Sequence, residues 1–497
     1  MSWELDWLEN RARLSPNKDA IIDEKTNKAW TFKELNKRAN STASWLHVRG
    51  VKKGDRIALL SPNHISYFDL LFACGKIGAI FVPLNWRLSM HEIKEIVTDC
   101  TPVLIGIHKQ FEDMCKQLNN LSTFFIGDAS YEELVSSPIT DCFREKISET
   151  DPLAMIYTGG TTGKPKGVVL SHQSILWNAI NTIVSWGLAE DDVTVNYLPM
   201  FHTGGLNALS IPILMIGGTL VIGEPFSGKK AVESLSRYRC TTILLVPTMY
   251  HMLIQTDEFQ NNEFPFMKIF LSGAAPCPFQ IYNAFQKKGL AFKEGYGLTE
   301  AGPNNFYISP EDAQVKCGSV GKPMLFNSIK LVKTDGCESE PNEVGELLIK
   351  GKHGFSFYWN HEQATREAVK DGWIHTGDLA KRDEEGFYYI VGRKKDMIIS
   401  GGENVYPLEV EQWLATHPAI DEVAVLGLPD EIWGEIVAAF IVLTQTYTLS
   451  DEELKMYCES KLGRYKIPKQ FIHLEELPKT HVGKIDKKKL KEMSIQM

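Results

Sequence analysis

No stretch of this sequence approaches the roughly 20 consecutive apolar residues of a membrane-spanning helix. Residues 211–223 are too few, and residues 68–84 are broken by Asp69 and Lys76, so no transmembrane segment is expected. A secretory signal is missing as well. Met1-Ser-Trp-Glu-Leu-Asp6 carries acids where such a signal carries a basic region followed by an apolar one. Basic residues are not in excess: 53 Lys and Arg against 62 Asp and Glu give a net charge of −9. That balance argues against a protein that coats nucleic acid or anionic lipid. The nine cysteines, at 74, 100, 115, 142, 240, 277, 317, 337 and 458, are odd in number and contain no C-x-x-C. Neither a zinc site nor a disulfide framework is expected from them, and reduced thiols in a cytoplasmic protein are. The sequence also holds no H-E-x-x-H, no G-x-S-x-G and no G-x-G-x-x-G.

What is present is an ordinary globular composition, 43% apolar and 23% charged, over 497 residues. At about 150 residues per domain that length suggests roughly three domains. An apolar run at 57–60, helical spacing over 64–77 and a second apolar run at 79–84 read as strand, helix and strand, the unit of a parallel sheet. The alternation returns with strand candidates at 219–222, 242–246, 268–272 and 291–293, so a doubly wound α/β core is expected. After Cys317 the runs shorten, as at 329–332 and 346–349, between turn clusters such as Thr334-Asp-Gly and Asp383-Glu-Glu-Gly. A small antiparallel sheet or barrel fits them. Beyond about residue 395 the pattern changes again, with Pro407 at a helix start, strands near 423–426 and 436–443, and a helix after Ser450.

The segment Tyr157-Thr-Gly-Gly-Thr-Thr-Gly-Lys-Pro-Lys-Gly167 is the most informative. Its glycines let backbone approach an anion, Thr158, Thr161 and Thr162 add hydroxyls, and Lys164 and Lys166 add positive charge, which together describe a phosphate cradle. The common nucleotide loop needs Ser or Thr after its lysine, whereas Pro165 follows Lys164 here.

Seven further blocks follow in order: Leu198-Pro-Met-Phe-His202, Ser272-Gly-Ala-Ala-Pro276, Gly295-Tyr-Gly-Leu-Thr-Glu300, Gly372-Trp-Ile-His-Thr-Gly-Asp378, Gly392-Arg-Lys-Lys-Asp396, Ser400-Gly-Gly-Glu-Asn404 and Pro478-Lys-Thr-His-Val-Gly-Lys484. With the loop, they resemble the adenylate-forming enzymes, which include acyl-CoA synthetases, luciferases and the adenylation domains of peptide synthetases. The resemblance covers essentially the whole chain. It implies an α/β fold with a large N-terminal domain, residues 1–394, of stacked parallel-rich sheets plus a small β-barrel. A small mobile α+β C-terminal domain, residues 395–497, would follow.

The resemblance also implies a site. Thr158, Gly159, Gly160, Thr161, Thr162, Gly163, Lys164 and Lys166 would hold the ATP phosphates. Gly273, Ala274, Ala275, Gly295, Tyr296 and Gly297 would line the nucleotide crevice, beyond the carboxyl ends of two strands. Tyr296 offers a ring to adenine, Thr299 a hydroxyl to the α-phosphate, and Glu300 a hard oxygen to Mg2+. Asp378 and Arg393 suit the ribose hydroxyls. His202 would line the carboxylate pocket, with Asn207, Cys277, Gly297 and Asn305 as candidates for its wall. Lys484 is the expected adenylation lysine, because a cation between carboxylate and α-phosphate offsets their repulsion. Gly401 and Gly402, lacking a Cβ, would let a pantetheine thiol pass, and the family hinge falls on Lys395. One departure is Gly159, where many relatives have a serine, which makes the loop more flexible.

The expected reaction joins a small carboxylic acid to coenzyme A through an acyl-AMP, with ATP and Mg2+. No carrier domain is expected after Lys484, so a diffusing thiol is preferred to a tethered one. A medium- or long-chain fatty acid is the first expectation for the acid and an aryl acid (coumarate-, benzoate- or succinylbenzoate-like) the second. A carrier-protein acceptor or a luciferase-like oxidation is an alternative enzyme reading, and a catalytically silent nucleotide-binding relative is the alternative from another class. Nucleic acid is not an expected partner. The reading leaves room for a homodimer and for peripheral membrane contact.

Overall fold

The computed structural model describes residues 5–116, 118, 121–137, 146–159, 165–444, 447–480 and 485–494. Two seven-stranded sheets carry the larger part of the chain. The first runs in the spatial order Phe357–Tyr358, Pro165–Ser171, Pro152–Gly159, Ile80–Leu84, Arg56–Leu60, Leu104–His108, Thr123–Ile126. Its last five strands are parallel, whereas the 152–171 hairpin and the 357–358 strand pair antiparallel. The second has the order Phe292–Glu294, Ile269–Ser272, Thr242–Leu245, Val193–Asn196, Thr219–Ile222, Asp19–Asp23, Ala29–Thr31, and every pair but the last is parallel.

Successive strand residues face opposite ways, and the cores follow that alternation. Ile57, Leu59 and Phe81 of the first sheet share one core with Leu220 and Ile222 of the second, around the helices Phe32–Val48, Ser66–Ile77 and His172–Trp186. Ala58, Leu60 and Val82 face the other way, into a core with Ile93 and Ile96 of the helix Met90–Cys100. Val221, Ile243 and Leu245 face helices 228–237, 247–254 and 279–287. The result is two stacked sheets with helices between and outside them. Strands buried on both faces need the continuous apolar runs seen at 57–60 and 80–84.

The small antiparallel unit expected after Cys317 is a five-stranded sheet of Asn327–Val332, Gly345–Gly351, Val369–Lys370, Trp373–Arg382 and Tyr388–Arg393. A smaller C-terminal domain follows. Its sheet of Ile398–Ser400, Glu403–Val405, Ile420–Asp430, Gly434–Leu443 and Gln470–His473 has cores of its own on both faces. Pro407 occupies the first turn of its helix, and a Ser450–Glu453 capping box starts the helix Asp451–Glu459. Among the described residues no helix is long and apolar enough to cross a membrane.

Candidate active site

The strands Ile269–Ser272 and Phe292–Glu294 lie side by side in register, Ser272 opposite Glu294, so the segments that leave their carboxyl ends emerge together. Gly295 N–H donates to Ser272 O at 2.8 Å. The Cys277 N–H donates to Glu294 Oε1 at 2.5 Å and ties the base of the 273–276 loop to that of the 295–300 loop. Ala274 adopts φ +70°, a left-handed conformation uncommon for a residue with a Cβ. Gly297 is held so close to the returning chain that a Cβ there would stand 2.1 Å from Pro303 O.

Two polar clusters meet at these loops. In one, the Tyr296 hydroxyl donates to Asp378 Oδ2 at 2.5 Å, while Arg393 Nε stands 3.5 Å from Asp378 Oδ1. Asp378 and Arg393 are direct cross-strand partners, which places the two ribose candidates on one ladder position. Tyr296 is thus anchored by its hydroxyl, and its ring meets that of Phe306 edge-on at 5.9 Å. In the other cluster, the Tyr358 hydroxyl donates to Glu300 Oε1 at 2.8 Å. Burial pushes the Glu300 carboxyl up, and the bond from Tyr358 opposes that shift. Lys166 Nζ lies 5.3 Å from the centre of the Tyr358 ring. Glu300 thus presents a hard carboxylate oxygen at this loop, a donor type that suits Mg2+ on a polyphosphate.

The two described ends of the phosphate segment pair as antiparallel strands, Thr158 with Lys166 and Gly159 with Pro165. Gly160, Thr161, Thr162, Gly163 and Lys164 lie outside the described residues, as does Lys484. The 357–358 strand pairs with the hairpin's return strand, which is how Tyr358 reaches Glu300. Tyr358 was not foreseen: nothing local in Phe357-Tyr-Trp-Asn360 marks it as a partner of a carboxylate 58 residues away.

His202 stands in the loop after Val193–Asn196, its ring 4.5 Å from that of Phe201, and is followed by a π-turn over Gly204–Ala208. Such turns recur at functional sites. The wall candidates do not all reach this space. Asn207 lies in the π-turn and donates to Thr203 Oγ1. The Asn305 amide is consumed by Ala301 O and Gly302 O, and its oxygen faces His353 Nε2 at 2.9 Å. Cys277 is buried in the apolar core under the loop. The last two brace the loops because backbone carbonyls and apolar side chains surround them on the inward side. Thr299 is half-buried within the 295–300 loop, and Gly273, Ala274 and Ala275 line the neighbouring one.

In the C-terminal domain, Gly401 and Gly402 adopt φ +60° and +86° in the turn between two short strands. Gly401 donates to Trp433 O at 2.9 Å, and a Cβ on it would stand 2.6 Å from the Trp433 ring. Trp433 was not singled out either. Lys395 is exposed in the single turn Lys394–Asp396 that joins the third sheet to the fourth.

Two loops at adjacent parallel strand ends, a carboxylate fit for Mg2+, a ribose-ready Asp–Arg pair and a phosphate hairpin define a nucleotide-activating enzyme. The AMP-binding enzyme family matches residues 8–359, and the AMP-binding enzyme C-terminal domain matches 409–484; the chain belongs to this family. It is 36% identical to a feruloyl-CoA synthase of Amycolatopsis sp. over 483 residues, 96% of each chain. It is also 36% identical to a long-chain-fatty-acid–CoA ligase of Mycobacterium tuberculosis over 496 residues, 98% of this chain and 97% of that one. The o-succinylbenzoate CoA synthetase of Bacillus subtilis, solved with its acyl-adenylate intermediate, superposes with a TM-score of 0.88 at 33% identity over 98% of both chains. The same enzyme with ATP and a magnesium ion gives 0.86 at 32% identity, over 97% of this chain and 98% of that one. The chain is accordingly an ATP-dependent acid–CoA ligase that works through an acyl-AMP and uses ATP, Mg2+ and coenzyme A.

Proposed function

We propose that the acid is apolar beyond its carboxylate, a medium- or long-chain fatty acid in the first reading, and that the enzyme works in the cytoplasm. The observation that carries the substrate reading is the carboxyl end of the second sheet at Gly295. There Gly295 has no side chain, its Cβ position lies 4.0 Å from the Trp186 ring, and Asn305 and Cys277 are turned to bracing duties. The Trp186 ring and the bare Gly295 backbone fit a hydrocarbon, with up to about 0.8 kcal/mol per added methylene until the space ends. The Trp186 indole favours the second reading, an aryl acid, since flat rings pair in offset or edge-to-face contact. A pyrophosphate-release panel from acetate to palmitate, with benzoate and coumarate, decides between them. A steady gain with chain length supports the first reading, and a preference for an aryl acid replaces it by the second.

The residues divide the reaction as follows. Residues 1–394 form the body and 395–497 the moving domain. His202 faces the acid carboxylate, Thr158 to Lys166 hold the phosphates, and Thr299 meets the α-phosphate. Asp378 and Arg393 hold the ribose, and Glu300, steadied by Tyr358, would hold Mg2+, which when bound draws charge from the phosphates. A carboxylate oxygen attacks the α-phosphorus, the bond to pyrophosphate breaks, and Lys484 offsets the charge where the two anions meet. In the second half the thiol sulfur, admitted past Gly401 and Gly402, attacks the acyl carbon and AMP leaves. Lys484→Ala should slow adenylation on the order of 100-fold or more yet leave thioester formation from supplied acyl-AMP intact. Single-turnover rates for each half check this, and equal loss in both would refute the role.

A further inference from the structure

The loop that presents His202 belongs to the second sheet, but a residue of the first sheet holds it. Asn63 lies just past the carboxyl end of the strand Arg56–Leu60. Its Nδ2 donates to Leu198 O at 2.9 Å, and its Oδ1 accepts from Met200 N–H at 2.9 Å, so one amide straddles Pro199. The turn that carries Asn63 is stiff, because the buried Tyr67 hydroxyl donates to Ser61 O at 2.8 Å. From the other side Asn196 accepts from Leu198 N–H and donates to Gly205 O, both at 3.0 Å. Trp86, from the loop after Ile80–Leu84, meets Phe201 edge-on at 6.3 Å. Within the loop His202 N–H donates to Pro199 O, so a shift of residues 198–200 carries the imidazole with it.

We propose that Asn63 is a positioning residue for His202, setting the height of the acid-facing imidazole relative to the phosphate hairpin of the first sheet. The acid and the α-phosphate are met by loops of the second sheet, whereas the outer phosphates rest on the hairpin of the first. Reaction needs them in near-attack geometry, which a small misplacement already weakens. A backbone contact between the sheets' ends cannot supply the register here, because Pro199 has no N–H and the chain turns at that point. A side-chain amide, with one donor and one acceptor in a plane, can.

This inference rests on His202 facing the acid, and a double-mutant cycle separates the two. With the best-turned-over acid of the panel, Asn63→Ala should raise the acid KM about tenfold and leave the ATP KM within about twofold. In a His202→Ala background the same change should move the acid KM less than about twofold, because coupled residues are not additive. Asn63→Asp, which keeps the acceptor for Met200 but sets an oxygen against Leu198 O, should show the same split and serves if the alanine variant does not fold. Equal shifts in both backgrounds, a parallel rise in the ATP KM, or a lower melting temperature with unchanged constants would each overturn the positioning role. Failure of the functional reading would look different: no acid in the panel would release pyrophosphate, even from the unaltered enzyme.

Discussion

Lys293 and Glu294 are neighbours on a three-residue strand, and the pleat sends them to opposite faces of the sheet, both buried. Burial pushes the Glu294 carboxyl up to about 8, against the hydrogen bond from Cys277 N–H, and pushes the Lys293 ammonium down to about 7. Lys293 Nζ lies 4.8 Å from the Trp186 ring centre and 4.5 Å from that of Tyr307, so two aromatic faces offset part of the cost of its charge. The folded protein keeps the Glu294 proton at a pH where the unfolded chain has already lost it. Stability from this group is therefore full below the ordinary carboxyl range near 4.5 and is lost as pH rises through about 8. Glu294→Gln keeps the acceptor for Cys277 and removes the titration. Urea midpoints from pH 5 to 9 should show the parent falling relative to the variant as pH rises, and parallel curves would mean that Glu294 is ionised in the fold.

At the level of elements, the turns of the site differ in the room they leave: a Cβ on Gly297 or Gly401 would collide, whereas one on Gly273 or Gly295 would not. The turn at Gly401 combines a left-handed φ with a tryptophan ring at van der Waals distance, so both its conformation and its packing favour glycine. Gly401→Ala should leave pyrophosphate release nearly unchanged while slowing transfer of the acyl group to coenzyme A about tenfold or more, as a displaced Trp433 intrudes on the thiol's path. Separate assays of the two half-reactions check this. A loss confined to the adenylation half would move the turn out of the thiol path.

For the molecule as a whole, the two half-reactions make opposing demands on one crevice. In the proposed mechanism Lys484 covers the phosphates in the first half, and the Gly401–Gly402 turn replaces it in the second. Both fall within 395–497, the proposed moving domain, so that mechanism calls for rotation about the short connection between Arg393 and Ile398. Lys395, exposed in the single turn 394–396, is the expected pivot. Proline fixes φ near −65°. Folded Lys395→Pro should therefore form acyl-AMP but fail to pass it to coenzyme A, and undiminished acyl-CoA production would move the pivot elsewhere in 393–396.

Much of this could be read from the chain before any fold was known. Strands at 57–60 and 219–222 declare themselves because burial on both faces demands unbroken apolar runs, and the observed strands Arg56–Leu60 and Thr219–Ile222 fall there. The glycine-bearing blocks are legible because glycine-rich backbone is suited to approach an anion. Other strands stayed hidden: Asp19–Asp23 and Ala29–Thr31 complete the second sheet but are short, with Asp19, Asp23 and Thr31 at their ends, a pattern that reads as loop. What only tertiary structure decides is which side chains meet. Tyr296 finds Asp378 across 82 residues, Tyr358 finds Glu300 across 58, and Asn63 finds Leu198 across 135. Periodicity and local spacing report which face of an element is buried and where the chain turns. The partners of a buried hydroxyl or amide depend instead on how whole sheets stack, and that is set by the sum of packing over the core rather than by any neighbouring residue.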